Sequence, residues 1–424
     1  MKKLRLLTVL VSCIFFILVL TYTAFSQNRI TIHADRMLDV VSGKIVKNAY
    51  IAVEGRLIVG VGGPEMARKA KVIDLGDMTL LPGLIDMHTH LSYDIDKDFY
   101  SRFVQQGPAD DALRGARNAR QTLMAGFTTV REAGSRNFVD VALMRAVETG
   151  FIEGPWIFPC GHAISITGGH GDLVGFSPGI LEQEPEFGIA DGPEEVLRAV
   201  RYQIKHGAKH IKMIATAGVL SFEKPVLAQQ YSEEEMRIFV EEARRHGLKV
   251  MAHAHGTEGI IAAVKAGVSS IEHGSMLDDE AMRLMKERGT YLVPTTYVVD
   301  AVDLDAIPPQ LRAKAESILP TARRNLRHAI KAGVKIALGT DAAVFPHGDN
   351  AKEFAVYVKL GMAPIGAIRT ATVNAIDLLG VNDRGTIETG RLADLIAVRG
   401  NPLDDITVLE DVKFVMHGGK VVKK

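Results

Sequence analysis

The chain has 424 residues, of which 47% are hydrophobic and 24% charged, the composition of a globular protein long enough to bury a large core. Lysine plus arginine and aspartate plus glutamate stand at 50 each, so the formal net charge is zero. No basic excess points to nucleic acid, and no acidic tail is present.

The N-terminus differs in kind from the rest. Lys2, Lys3 and Arg5 form a basic start, an apolar stretch runs from Leu6 to about Leu20, and Ala24-Phe25-Ser26 offers small residues where a signal peptidase reads. Residues 1–26 therefore read as a secretory signal peptide, with export to a bacterial periplasm or the medium expected. The competing reading is a membrane anchor over residues 6–20, near the lower end of spanning length. Cys13 and Cys160 are the only cysteines, and Cys13 lies in the leader. A mature chain without an internal disulfide fits a periplasm better than a disulfide-stapled secreted domain.

Short strands are expected next: Ile30–Ala34, Ala49–Val53, a Glu54-Gly55 turn into Arg56–Val61, then Val72–Leu75 and Met78–Leu81. The C-terminus has the same character over Asp394–Val398, Val412–Met416 and Lys420–Val422. Two strand-rich ends around one long middle predict a small β-sandwich domain built from residues 27–82 and 384–424.

The middle, residues 83–383, alternates apolar strands with amphipathic helices. Candidate strands are Gly83–His90, Phe127–Arg131, Trp156–Cys160, His210–Ile214, Lys249–His253, Val268–His273, Tyr291–Thr295 and Lys335–Asp341. Ser232-Glu233-Glu234-Glu235 is a capping box opening a helix that ends at Gly247, and Thr257–Gly267 and Asp278–Gly289 are shorter helices. Eight strands alternating with helices predict an α/β fold, a (β/α)8 TIM barrel. A doubly wound open sheet is the alternative, but no Gly-x-Gly-x-x-Gly follows the first strand.

In such barrels chemistry sits at the C-terminal strand ends. The first strand ends in His88-Thr89-His90, and residues two apart on a strand face one way. Neutral imidazole is the commonest metal ligand, yet a bare His-x-His is weak evidence. Lys212 on the fourth strand, His253 on the fifth, His273 on the sixth and Asp341 on the eighth arrive at the same end. Each is ordinary singly, as a core-edge histidine, a snorkelling lysine or a helix-capping aspartate. Their joint arrival is much harder to explain by chance. Cys160 reads as a small core residue.

The set resembles the amidohydrolase superfamily of metal-dependent hydrolases, from about residue 29 to 424. Within it the chain is similar to the branch of Xaa-Pro dipeptidases, carboxypeptidase-like enzymes and ochratoxin-type amidases. The marks are Ser165–Asp172, Ile211–Ser221, His253-Ala254-His255-Gly256, and His273 twenty residues beyond His253. Ala217 departs from the glycine frequent in similar sequences and touches no expected ligand.

The resemblance implies two divalent ions, with zinc favoured and manganese or cobalt also suited to nitrogen and oxygen donors. His88, His90 and Asp341 would hold one, and His253 and His273 the other. Lys212 would bridge them as a carbamate formed with carbon dioxide, since an ammonium cannot ligate a cation. A metal-bridging hydroxide would attack an amide of a dipeptide or N-acyl amino acid, with Asp341 passing the proton to the leaving amine. Tyr231, before the capped helix, would grip the substrate carboxylate. His170, His255 and His162 are further candidate substrate contacts. A mononuclear deaminase or cyclic-amide hydrolase of the imidazolonepropionase type is the alternative, for which Lys212 would be idle. A non-catalytic exported metal-binding protein is another, and it predicts a lost ligand position where none is missing. A small-molecule substrate is expected, with no nucleic acid, membrane contact only through an uncleaved N-terminus, and a possible homo-oligomer.

Overall fold

The computed structural model describes residues 29–424 other than Lys69, Lys224, Val226, Asp303 and Ala306. The expected signal peptide lies outside the described residues. Among those described, no helix is long and apolar enough to cross a membrane.

Five strands come first: β1 (Ile30–Asp39), β2 (Lys44–Glu54), β3 (Leu57–Gly62), β4 (Lys71–Asp74) and β5 (Met78–Pro82). Seven follow in the middle: β6 (Leu84–Thr89), β7 (Phe127–Glu132), β8 (Trp156–Phe158), β9 (Ile211–Ile214), β10 (Val250–Ala254), β11 (Ser270–His273) and β12 (Tyr291–Val293). Three close the chain: β13 (Leu395–Arg399), β14 (Phe414–His417) and β15 (Lys420–Lys423).

The two ends of the chain join one eight-stranded sheet, in the order β15-β14-β13-β5-β1-β2-β3 with β4 also paired to β1. The junction is the antiparallel pair β5–β13, where Leu81 faces Ile396 and Leu80 faces Ala397. Ile32, Ile51, Ile58, Leu80, Leu395 and Phe414 form a separate apolar cluster there.

The middle strands are parallel, as strands joined by crossover helices must be. β6-β7-β8 form one ladder and β9-β10-β11-β12 another. Single bonds link the two: Lys209 N–H donates to Pro159 O at 2.7 Å and Ile164 N–H to Lys212 O at 2.9 Å. The helix Glu233–Arg245 starts where its cap requires, with Ser232 Oγ accepting from Glu235 N–H at 3.2 Å and the Glu235 carboxylate accepting from Ser232 N–H at 2.8 Å. Met236, Phe239 and Ala243 recur at helical spacing and are buried in the main core. Removing Phe239 from water contributes roughly 1.5–3 kcal/mol.

The eighth expected strand is a correction. Lys335–Asp341 makes no ladder; Ile336 bridges Leu292, and Leu338 accepts from Met87 N–H at 2.8 Å while its own N–H goes to Thr370 O at 3.0 Å. The segment is pressed too closely to keep a regular pleat. A Cβ on Gly339 would stand 2.3 Å from Val293 Cγ1 and 2.8 Å from His88 Cβ, and Asp341 takes a left-handed φ of +60°. It still runs beside β6, because Asp341 N–H donates to His88 O at 2.8 Å.

Candidate active site

Two groups of side chains with metal-binding chemistry meet at the ends of the middle strands. The first is His88, His90 and Asp341, whose ligand-capable atoms lie within 4.8 Å of one another. Alternation along β6 sends Asp86, His88 and the following His90 the same way. His88 Nδ1 meets Glu272 Oε2 at 2.8 Å, and Glu272 Oε1 accepts from Arg131 Nη2 at 2.9 Å and from the Ser270 hydroxyl. His90 Nδ1 donates to Gly134 O at 3.0 Å; a carbonyl can only accept, so the proton sits on Nδ1. Both histidines thus keep Nε2 for the site, at 3.5 and 3.4 Å from Asp341 Oδ1.

The second group is His253, His255 and His273, again within 4.8 Å. His255 Nδ1 bonds Ser275 Oγ at 2.8 Å and His273 Nδ1 bonds Thr295 Oγ1 at 2.7 Å. His273 adopts a left-handed φ of +69° where β11 ends, which turns its ring toward the others. The groups adjoin, with the His88 and His273 rings 5.0 Å apart. Lys212, on β9, is buried and lines the same cavity.

Burial sets the electrostatics. Desolvation, with the nearby Lys212 charge second, lowers His88 well below the usual imidazole range and brings His90 to about 4. Burial followed by the His170 charge lowers His253 and takes His255 to about 3, and burial followed by His255 lowers His273. These are the neutral rings a cation requires. Burial also lowers Lys212, against the pull of Glu272 and Asp341, and raises Asp341 to about 6 against Lys212.

The donor set fits a divalent metal. Imidazole nitrogens and a carboxylate oxygen converge, and His253 Nε2 is buried with no hydrogen-bond partner. Fixed Nδ1 partners orient the rings in the manner of metal-binding histidines.

The remaining expected contacts divide. His170 and His255 line the cavity. His162 lines it too, but both its nitrogens are engaged, Nε2 accepting from Asn137 N–H at 2.9 Å and Nδ1 meeting Gln203 Oε1 at 3.1 Å. Tyr231 is a correction: it is buried in the main core against Phe239, and its hydroxyl donates to Ala190 O at 2.9 Å, away from the cavity lining. The cavity lining also carries a cluster of aromatic rings, Tyr93, Phe99, Tyr100 and Phe103, and the aliphatic side chains of Val298, Val299 and Leu319.

Sequence reasoning missed the buried support of the first group. Asp86 accepts from His88 N–H at 3.0 Å, Thr340 Oγ1 at 2.6 Å and Asn350 Nδ2 at 2.8 Å, tying β6 to the eighth segment. Arg131 and Glu272 form an ion pair beneath His88. The available signal was charge inside apolar strand runs, which burial tolerates only when paired.

The sequence profile of the Amidohydrolase family matches residues 79–422. The chain belongs to the amidohydrolase family. It is accordingly a metal-dependent hydrolase acting on carbon–nitrogen amide bonds. It is 36% identical to ochratoxinase from Aspergillus niger over 433 aligned positions, covering 95% of this chain and 89% of that protein. Among solved structures, a Xaa-Pro dipeptidase with methionine bound in its active site superposes with a TM-score of 0.89 at 39% identity, covering 94% of this chain and 100% of the other. A prolidase complexed with N-methylphosphonate-L-proline gives 0.84 at 33% identity, with 94% and 100% covered. The amidohydrolase likeness read from the strand-end residues thus holds for the family and its dipeptidase and ochratoxinase branch.

Proposed function

We propose that this amidohydrolase releases an amino acid from a dipeptide or N-acyl amino acid, such as a Xaa-Pro or ochratoxin-like amide, using two divalent metal ions. The observation that carries the reading is the meeting of two three-residue donor groups at one cavity with Lys212 buried beside both. His88, His90 and Asp341 would hold one ion, His253 and His273 the other. Carboxylated with carbon dioxide, Lys212 would offer an anionic oxygen to each. His255, stacked on His273 at 4.8 Å, would support the second ion or touch the substrate. When bound, the ions supply Lewis acidity that polarises the scissile carbonyl and acidifies a water.

The chain's own residues do the rest. Asp341 accepts the water's proton and returns it to the leaving nitrogen. Gly134 and Glu272 hold His90 and His88 in the tautomer that leaves Nε2 free. The aromatic part of the lining would exclude water and accommodate an apolar acyl or side chain.

The architecture proposed around this site is a (β/α)8 barrel over residues 83–383, flanked by a small domain from both termini. The circuit of parallel pairings from β6 through β12 and back to Met87 by way of Leu338 supports it. Export through cleavage after Ser26 belongs to the same proposal. A single-ion enzyme would leave Lys212 idle, and its burial among the donors weighs against that.

Metal analysis of purified protein, joined to a release screen with Xaa-Pro, Xaa-Arg and N-acyl amino acid libraries, tests the reading. About two ions per chain in the presence of bicarbonate, and release of an amino acid, are expected. One ion per chain, or no release from any amide, overturns it. Lys212→Ala should lose metal and activity and regain part of both with short carboxylic acids; unchanged activity contradicts the carbamate.

A further inference from the structure

Within the loop after β9, buried Ser221 and Glu223 form a polar chain with the half-buried His170 that belongs to neither donor group. His170 Nδ1 lies 2.6 Å from Ser221 Oγ, and Ser221 Oγ donates to Glu223 Oε1 at 2.7 Å. The same carboxylate oxygen accepts Gly218 N–H at 2.5 Å and stands 3.6 Å from His170 Nδ1. Glu223 Oε2 is buried with no hydrogen-bond partner. Lys314 Nζ clamps the turn from outside, donating to the backbone carbonyls of Ser221 at 2.6 Å and Glu223 at 3.3 Å.

A carboxylate is costly to bury, and hydrolysis as described does not use this one. Its effect is geometric. An ionised carboxylate only accepts, so the Ser221 proton points to it and Ser221 Oγ is left to accept from His170. That places the hydrogen on His170 Nδ1 and turns Nε2 out of the chain. The ring lies on His253, with centroids 4.2 Å apart and planes 26° from parallel, and it lines the cavity. Gly218 is what lets it sit there, since a Cβ at that position would stand 2.1 Å from His170 Nδ1. His170 and the Ser221 hydroxyl, together with Gly218 N–H, hold Glu223 at about 2 despite its burial.

We propose that Glu223, acting through Ser221, is a positioning residue that fixes the His170 ring with Nε2 presented to the bound amide substrate. It is neither a ligand nor a proton carrier. The proposal rests on the amide-hydrolase reading for its substrate, but the ring geometry stands apart from it. Within Ala217-Gly218-Val219-Leu220-Ser221, the glycine makes room for the ring and the serine relays the carboxylate.

The test begins without substrate. Nitrogen-15 spectra of histidine-labelled, zinc-reconstituted protein, with His170 assigned through His170→Asn, should show a proton held on Nδ1. Glu223→Gln and Ser221→Ala should each move that signal, and Ser221→Thr, which keeps the hydroxyl, should restore it. An unmoved signal overturns the proposal. With any N-acyl amino acid that the screen finds hydrolysed, Glu223→Gln should lower kcat/KM roughly tenfold with metal content unchanged. In a His170→Asn background the same change should have no further effect. An equal loss there would make Glu223 merely structural and overturn the proposal. Should no amide be hydrolysed at all, the functional reading fails while the spectra still decide this one.

Discussion

The two donor groups differ in what holds them. His88 is anchored by the buried Glu272–Arg131 pair, and His90 by a backbone carbonyl. His255 and His273 lean on the neutral hydroxyls of Ser275 and Thr295. Hydrogen bonds involving an ionised partner are roughly twice as strong as neutral ones. The His88–Glu272–Arg131 network also spans β6, β11 and β7, so the first group is prearranged by three strands at once. The second depends on side chains whose hydroxyls can rotate. If ions bind as proposed, the first group should keep its shape without one, whereas the second should gain more of its order from its ion.

The largest expected effect lies in the first group, at Asp341. Asp341→Asn keeps the shape but removes the proposed proton acceptor, and kcat should fall by about 10²–10⁴ with the fold intact by circular dichroism. A fall in KM alone, or none, would move the proton-accepting role elsewhere and leave Asp341 as a holder of the first group only.

The support residues sharpen the contrast. Glu272→Gln should weaken metal binding at the first group by about 10–100-fold in competition with a chelator. Thr295→Val removes a neutral partner and should cost metal binding at the second group only about 2–10-fold. Equal losses from the two changes would erase the distinction between a prearranged and an ion-ordered site.

What the sequence disclosed follows from where these residues sit. His88, His90, Lys212, His253, His273 and Asp341 were visible because polar groups at the ends of apolar strands stand out from their runs. Glu272 was hidden by its neighbour. Period two sets it opposite His273, yet His273 leaves the strand at a positive φ, so both reach the same centre from consecutive positions. Arg131 announced that it needed a partner without naming one 141 residues away. The eighth segment was read as a strand from its apolar pattern, which carries no record of how tightly Gly339 is pressed against β6 and β12. The succession of middle strands along the chain was legible, and the irregular backbone at the site was not, because strain comes from packing between distant segments.

Tyr231 is the smallest test and the one that separates helix spacing from packing. Its position before Ser232 places it near the site in sequence, but that spacing does not say which side of the helix start the ring falls on. In the structure it falls inward, onto Phe239 and the Ala190 carbonyl. Tyr231→Phe should therefore cost about 1 kcal/mol of stability, seen as a lower denaturant midpoint, and leave KM where it was. A large rise in KM for substrates with a free carboxylate, absent for their amides, would instead mean that the ring swings out to meet substrate. Such a rise would overturn the packing role, because a ring held on Phe239 and the Ala190 carbonyl has no free hydroxyl to offer a carboxylate.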